Sequence, residues 1–143
     1  MDTLAKLEKW LEENCYNFQF ITIGRHKAQE GTVIECEHGS YNWCYSERGR
    51  KTIIASFKTE KDLVGYAYKA LLSDQWARSH LLVLTFDKEK VGETGKLLED
   101  MGIEFLRNDI PNYRDGRRAY RIFVFGCDIK KVEHLKCNLT YPL

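Results

Sequence analysis

Residues 41–74 read YNWCYSERGRKTIIASFKTEKDLVGYAYKALLSD, and this stretch decides the fold class. Tyr41, Trp43 and Tyr45 alternate with Asn42, Cys44 and Ser46, the two-residue period of a strand with one face in the core. Residues 46–50 (SERGR) are polar and place Gly49 where a tight turn needs a positive φ. Ile53, Ala55 and Phe57 then alternate with Thr52, Ile54 and Ser56 in a second strand. Thr59 is placed to cap a helix, with Asp62 three residues on, as in a capping box. Leu63, Tyr66, Ala67, Ala70 and Leu71 follow the i, i+3, i+4, i+7, i+8 spacing of a core-facing helix. Strand, turn, strand and helix signals agree with one another, which is the mark of a segment with one preferred structure.

Upstream, Asp2 or Thr3 can cap a first helix running to about Asn14, with Leu4, Leu7 and Leu11 on one face and Trp10 beside them. Residues 18–23 (FQFITI) and 32–37 (TVIECE) read as strands around a polar loop bounded by Gly24 and Gly31. With the two strands already found, they predict a four-strand antiparallel meander, since connections this short do not suit parallel crossovers. Downstream, residues 80–86 (HLLVLTF) form a nearly continuous apolar run, as in a strand buried on both faces. Asp87 predicts a helix to about Met101, with Val91, Leu97, Leu98 and Met101 as its apolar positions and Gly102 at its end. Residues 103–107 and 119–125 read as strands, joined by a link over 108–118 that holds Pro111 and an Asp115-Gly116 turn. Asp128 caps a last short helix carrying Ile129, Val132 and Leu135, and residues 138–143 read as a tail. The order α-ββββ-α-β-α-ββ-α predicts an α+β fold: a mainly antiparallel sheet with helices packed on one face. A single globular domain over 1–143 is expected; a split at Ser79 would leave two halves, each small for a core of its own.

Composition narrows the function classes. Hydrophobic residues are 43% and aromatic residues 13% of the 143, which places the chain among packed globules. Lys plus Arg is 22 against 21 for Asp plus Glu, so there is no general basic excess to draw nucleic acid or an anionic membrane. No apolar run is long enough to span a bilayer, and the first residues lack the apolar core of a secretory signal, so a cytoplasmic protein is expected. The five cysteines (Cys15, Cys36, Cys44, Cys127 and Cys137) are odd in number and sparse, which reads as reduced thiols. On the same grounds the glycosylation-type triplet at Asn138 is a chance match.

Each candidate for chemistry has a plainer competitor. Cys36, His38 and Cys44 lie close in sequence, and His134 precedes Cys137 by three, but neither group completes a four-ligand zinc pattern. Cys44 or Cys127 with His26, His38, His80 or His134 would make a Cys–His pair only by chance of folding. Glu35 and Glu37 share a strand face, which reads as a solvated face. No nucleophile elbow, zinc-protease or phosphate-loop motif occurs, so neither catalytic residues nor a cofactor or metal are assigned. Arg107, Arg114, Arg117, Arg118 and Arg121 interleave with Tyr113 and Tyr120, which can hold phosphates and stack bases, although Glu104, Asp109 and Asp115 dilute the charge. Tyr16, Trp43, Trp76, Tyr113 and Tyr141 are aromatics that periodicity does not assign to a core, and such residues anchor protein–protein interfaces.

Over WCYSERGRKTIIASFKTEKDLVGYAYKALL the chain resembles immunity proteins of bacterial polymorphic-toxin systems, including those of contact-dependent growth inhibition. The shared pattern is an aromatic strand, W-x-Y, an S/D-E-R-G turn, a second strand, and F-x-T/S-E-x-D/E opening an aromatic-rich helix. Here it falls on Trp43, Tyr45, Glu47, Arg48, Gly49, Phe57, Thr59, Glu60, Asp62, Tyr66 and Tyr68, about a quarter of the chain. The resemblance implies a small cytoplasmic α+β protein, not an enzyme, that binds one cognate toxin domain, often a nuclease, and covers its active site. Inhibitors of basic nucleases are often acidic; here a locally acidic face near Glu8, Glu12 and Glu13, or near Glu35 and Glu37, would have to supply that charge. Trp43, Glu47, Arg48, Trp76, Tyr113 and Arg117 are the candidate toxin contacts. The second reading is a small nucleic-acid-binding module that uses the arginine-rich 107–121 hairpin.

Overall fold

The computed structural model describes residues 1–137 and shows an α+β protein with two sheets. The tail expected at 138–143, with the Asn138 triplet and Tyr141, lies outside the described residues. The chain divides at Ser79 into two compact units, Met1–Arg78 and Ser79–Leu143. No helix among the described residues is long and apolar enough to cross a membrane.

The first unit runs α1 (Leu4–Glu13), β1 (Ile21–Thr22), β2 (Gly31–Glu37), β3 (Ser40–Glu47), β4 (Arg50–Phe57) and α2 (Glu60–Leu72), then a 3₁₀ turn, Gln75–Arg78. Its sheet keeps chain order, β1-β2-β3-β4. Two-residue loops close both long hairpins: His38-Gly39 lies between the paired Glu37 and Ser40, and Arg48-Gly49 between Glu47 and Arg50. In each, both loop residues have positive φ, +52° then +77°, the geometry that matches strand twist. Thr3 and Thr59 cap the two helices through their hydroxyls, which accept from Lys6 N–H at 3.1 Å and Asp62 N–H at 3.2 Å. The Glu60 carboxylate accepts the Leu4 N–H at 3.0 Å and ties the start of α2 to the first turn of α1. The core sets Leu7, Leu11, Leu63, Val64, Ala67 and Leu71 of the helices against Ile21, Ile23 and Ile34. Tyr16 belongs to this core as well, its hydroxyl donating to the Leu71 carbonyl at 3.1 Å, so it is not a free surface aromatic.

Two expectations for this unit need correction. Residues 18–23 do not form a full antiparallel strand. Only Ile21–Thr22 pair, and they run parallel to β2. The chain reaches this register because Gly24 and Gly31 take positive φ, +55° and +115°, and fold residues 23–30 into a loop pinned by paired backbone bonds between Ile23 and His26. On α2 the buried stripe is Leu63, Val64, Ala67 and Leu71, so Val64 takes the place expected for Tyr66, which is exposed, and Ala70 is only half-buried.

The second unit runs β5 (Ser79–Thr85), α3 (Lys88–Asp100), β6 (Phe105–Arg114), β7 (Arg117–Phe125) and α4 (Ile129–Val132), the last between two 3₁₀ turns. The strand order is β5-β7-β6, with β7 antiparallel to both neighbours. Leu82, Val83, Val91, Leu98, Ile103, Ile122, Val124, Ile129 and Val132 fill its core. Asp87 caps α3 as expected, accepting from Glu89 and Lys90 N–H groups at 3.0 and 3.3 Å. The packing face of α3 is Val91, Thr94, Gly95 and Leu98; Leu97 and Met101, expected inside, are exposed. Gly95 lets the helix sit close to the Phe105 ring, which a Cβ would meet at 3.4 Å. The link expected over 108–118 is instead strand on both sides of an Asp115-Gly116 turn. Pro111 is tolerated because β6 is an outer strand and the pairing shifts between Ile110 and Arg114. Asp128 does not cap α4; its carboxylate pairs with Lys131 at 3.1 Å.

A Cβ at Gly31 would run into the Phe20 carbonyl, whereas one at Gly49 would meet open space. Gly31→Ala is therefore expected to cost at least about 3 kcal/mol, a collision added to an unfavourable φ. Gly49→Ala should cost only about 1 kcal/mol, the price of φ alone. Urea unfolding of the two variants checks the difference.

Candidate functional site

The β3–β4 hairpin presents one aromatic face. Tyr41, Trp43 and Tyr45 alternate onto the side of β3 that meets the helices, opposite Phe57, Ala55 and Thr52 of β4. Tyr66 of α2 lies edge-on to Trp43, ring centres 5.5 Å apart, and 5.3 Å from Phe57. These contacts hold Trp43 half-buried and leave Tyr66 partly exposed. Further along the strand, Tyr45 is 44% exposed. A bulge between Trp43 and Cys44 then lets Ile54 slip out of register, and Ile53 and Ile54 are 55% and 58% exposed. The loop ends this ledge with the exposed side chains of Glu47 and Arg48. Tyr45 is thus exposed on the helix side of the sheet and Ile53, paired with Cys44, on the other. The outer end of the hairpin carries apolar side chains on both faces beside a charged turn, and apolar area with a charged rim is the usual anatomy of a protein-binding surface.

The six candidate contacts are not all of one kind. Trp43, Glu47 and Arg48 come together on this hairpin. Trp76 sits on the 3₁₀ turn after α2, 50% exposed, with its backbone N–H donating to Asp74 at 3.0 Å. Tyr113 and Arg117 belong to the second unit, at the tip of the β6–β7 hairpin. There the Arg117 guanidinium lies 3.8 Å from the centre of the Phe86 ring, and Phe86 meets Tyr113 edge-on at 6.1 Å.

The opposite face of the first sheet is polar in a different way. Lys51 bridges Glu35 and Glu37, the latter at 2.6 Å. The hydrogen bonds that Lys51 donates to these carboxylates hold its ammonium above its usual range, and Lys51 in turn pulls Glu37 below the usual carboxylate range. Ser56 donates to the buried Asn42 side chain at 2.8 Å. Cys44, also buried on this face, has its thiol pushed up by burial, the reverse of an activated nucleophile. Cys36 points to the other side of the sheet, so Cys36, His38 and Cys44 do not converge. Nor do all five thiols remain reduced, as the sequence suggested. Cys36, Cys44 and Cys137 are free, whereas Cys15 and Cys127 are oxidised.

One cluster escaped the sequence reading. Among the described residues, Glu8, Glu12 and His26 bring ligand-type atoms within 4.8 Å of one another. Glu8 and Glu12 are one helical turn apart on α1, a spacing visible in the sequence, but the loop geometry that returns His26 to them was not. His26 lies 2.6 Å from Glu12 and stacks on Phe18 at 3.6 Å, and Arg25 reaches the same Glu12 oxygen at 2.7 Å. Glu8 accepts the Arg25 N–H at 2.9 Å. Hydrogen bonds from His26 and then Arg25 hold the Glu12 carboxyl below its usual range. The arrangement pins the loop after β1 to α1. The acidic faces expected at Glu8 and Glu12, and at Glu35 and Glu37, are thus largely matched by Arg25, His26 and Lys51.

Comparison with protein-family models, curated proteins and solved structures finds no match. The resemblance to immunity proteins therefore stands on the residues quoted for it alone.

A carboxyl whose folded pKa is depressed adds stability above its unfolded pKa and loses it as the pH falls through the folded value. Glu12→Gln is expected to lower the melting temperature at neutral pH, with the gap to wild type closing as the pH drops through the carboxylate range. A pH series of thermal melts checks this, and a gap that is constant with pH would contradict it.

Proposed function

We propose that this chain is a non-enzymatic immunity protein that binds a cognate bacterial toxin domain, of the nuclease type, and neutralises it by covering its active site or substrate access. The observation that carries the proposal is the outer end of the β3–β4 hairpin, where Tyr45 on one face, Ile53 on the other and Ile54 at the bulge are exposed near Glu47 and Arg48, so that a partner gripping this edge meets apolar side chains on both sides. The immunity-like sequence pattern falls on the same hairpin and on the helix that supports it. Large apolar side chains held out by a rigid sheet suit recognition of another protein, since few rotamers are lost on binding. Trp43, half-buried and edge-on to Tyr66, supports the hairpin more than it contacts a partner. Arg48 occupies a left-handed conformation, φ +52°, that costs an arginine about 1 kcal/mol relative to glycine.

The test is copurification with the toxin domain encoded next to this gene, followed by affinity measurement. A one-to-one complex that abolishes the toxin's activity is expected. Tyr45→Ala and Ile53→Ala should each weaken binding by about tenfold or more, as truncated anchors do. Arg48→Asn should raise stability slightly, because Asn tolerates this conformation, while weakening the complex. Absence of any complex with the neighbouring toxin would overturn the proposal.

A further inference from the structure

We infer that the β6–β7 hairpin of the second unit is a docking surface for the backbone of single-stranded nucleic acid, independently of the toxin-binding reading. Residues 105–125 carry five arginines, two aspartates and no lysine or glutamate, a net of +3 in a chain whose whole net charge is +1. The charge is therefore concentrated on one hairpin, where a polyanion would find it.

The arginines are also preorganised. The Arg117 guanidinium carbon lies over the Phe86 ring, 3.8 Å from its centre, Phe86 meets Tyr113 at 6.1 Å, and Arg114 lies 5.1 Å from the Tyr113 ring. On the other face of the hairpin, Arg107 sits 5.2 Å from the Tyr120 ring. Stacking on a ring fixes the plane of a guanidinium but uses none of its N–H groups, which remain in that plane for bidentate contact with a phosphate. The Arg117 side chain is half exposed, so its outer face is open to a base, and guanidinium planes stack bases as aromatic rings do. On the Arg117 face of the hairpin Asp115 lies 3.6 Å from Arg117, while on the other face Asp109 lies 3.2 Å from Arg107 and 3.6 Å from Arg118. These pairs are solvent-accessible and weak, so phosphates can exchange for them. An acidic polypeptide would match the charge but could lie on Arg117 only where it also carries an aromatic residue, whereas every nucleotide brings a flat base beside its phosphate. That difference favours nucleic acid.

The probe is a fluorescent single-stranded oligo-uridine, titrated with the full chain by anisotropy at several potassium chloride concentrations. Binding should weaken with salt, with a log–log slope of about −0.7 for each phosphate held. Arg114→Ala and Arg117→Ala, paired on one face of the hairpin, should each weaken binding about tenfold, the size of one lost charge-assisted hydrogen bond, and make the slope shallower by one phosphate's share. Asp115→Asn should tighten binding. Asn keeps the left-handed turn that Asp115 adopts at φ +53°, and the change releases Arg117, so a gain cannot be ascribed to misfolding. The inference is overturned if no binding occurs at low salt, or if the three variants bind like wild type. It is equally overturned if polyglutamate competes as well as oligo-uridine, which would make the hairpin a site for acidic protein.

Discussion

Three times this chain reverses direction in two residues, and much of the architecture follows from that economy. His38-Gly39, Arg48-Gly49 and Asp115-Gly116 each place a side-chain-bearing residue and then a glycine at positive φ. A two-residue reversal fixes which residues face each other, and a slip by one would turn every side chain to the other face. The loop at Arg48 thus puts Trp43 and Tyr45 on the helix side and Asn42 and Cys44 on the other. The loop at Asp115 opposes Arg114 and Arg117 and puts them on one face of the second hairpin with Arg121, leaving Arg107 and Arg118 on the other. The cost is carried at the first loop position, where an L-residue is strained. Burial of Leu7, Leu11, Leu63 and Ile34 beneath the first sheet, and of Val91, Leu98 and Ile122 in the second unit, outweighs it.

Charge in this protein is local rather than general. The near-neutral total conceals carboxylates of the first unit paired with Arg25, His26 and Lys51, and an arginine-rich hairpin in the second. The two proposals draw on different chemistry for that reason. One rests on exposed apolar side chains with a charged rim, and the other on guanidinium groups laid against rings.

Much of this was legible in the sequence, because local signals and tertiary needs agreed. Thr3, Thr59 and Asp87 cap helices as their positions suggest, and the alternation through 41–57 gives both strands. The misreadings have specific causes. FQFITI looks like a strand by propensity, but the loop from Ile23 to Gly31 leaves room for only two paired residues. Pro111 argued for a loop, yet an outer strand with a shifted register accommodates it. Tyr66 fits the helical stripe, but a ring at the margin of a small core can rest on Trp43 and Phe57 while Val64 takes the interior place. The Glu8, Glu12 and His26 cluster was hidden because its histidine arrives from a loop, and no periodicity predicts where a loop returns. The ledge was half legible: Trp43, Glu47 and Arg48 were singled out, but the exposure of Ile53 and Ile54 depends on a bulge that alternation cannot reveal.

That bulge has a bearing on colloidal behaviour. β4 is an outer strand of eight residues with two bare isoleucines, the profile of a template for self-association through open backbone groups. The shifted register at Ile54 breaks the straight ladder that an incoming strand would need, and Arg50, Lys51 and Lys58 place cations along the same edge. Stickiness toward a shaped partner and resistance to stacking with copies of itself are thereby separated. Side chains are offered, while the backbone is withheld.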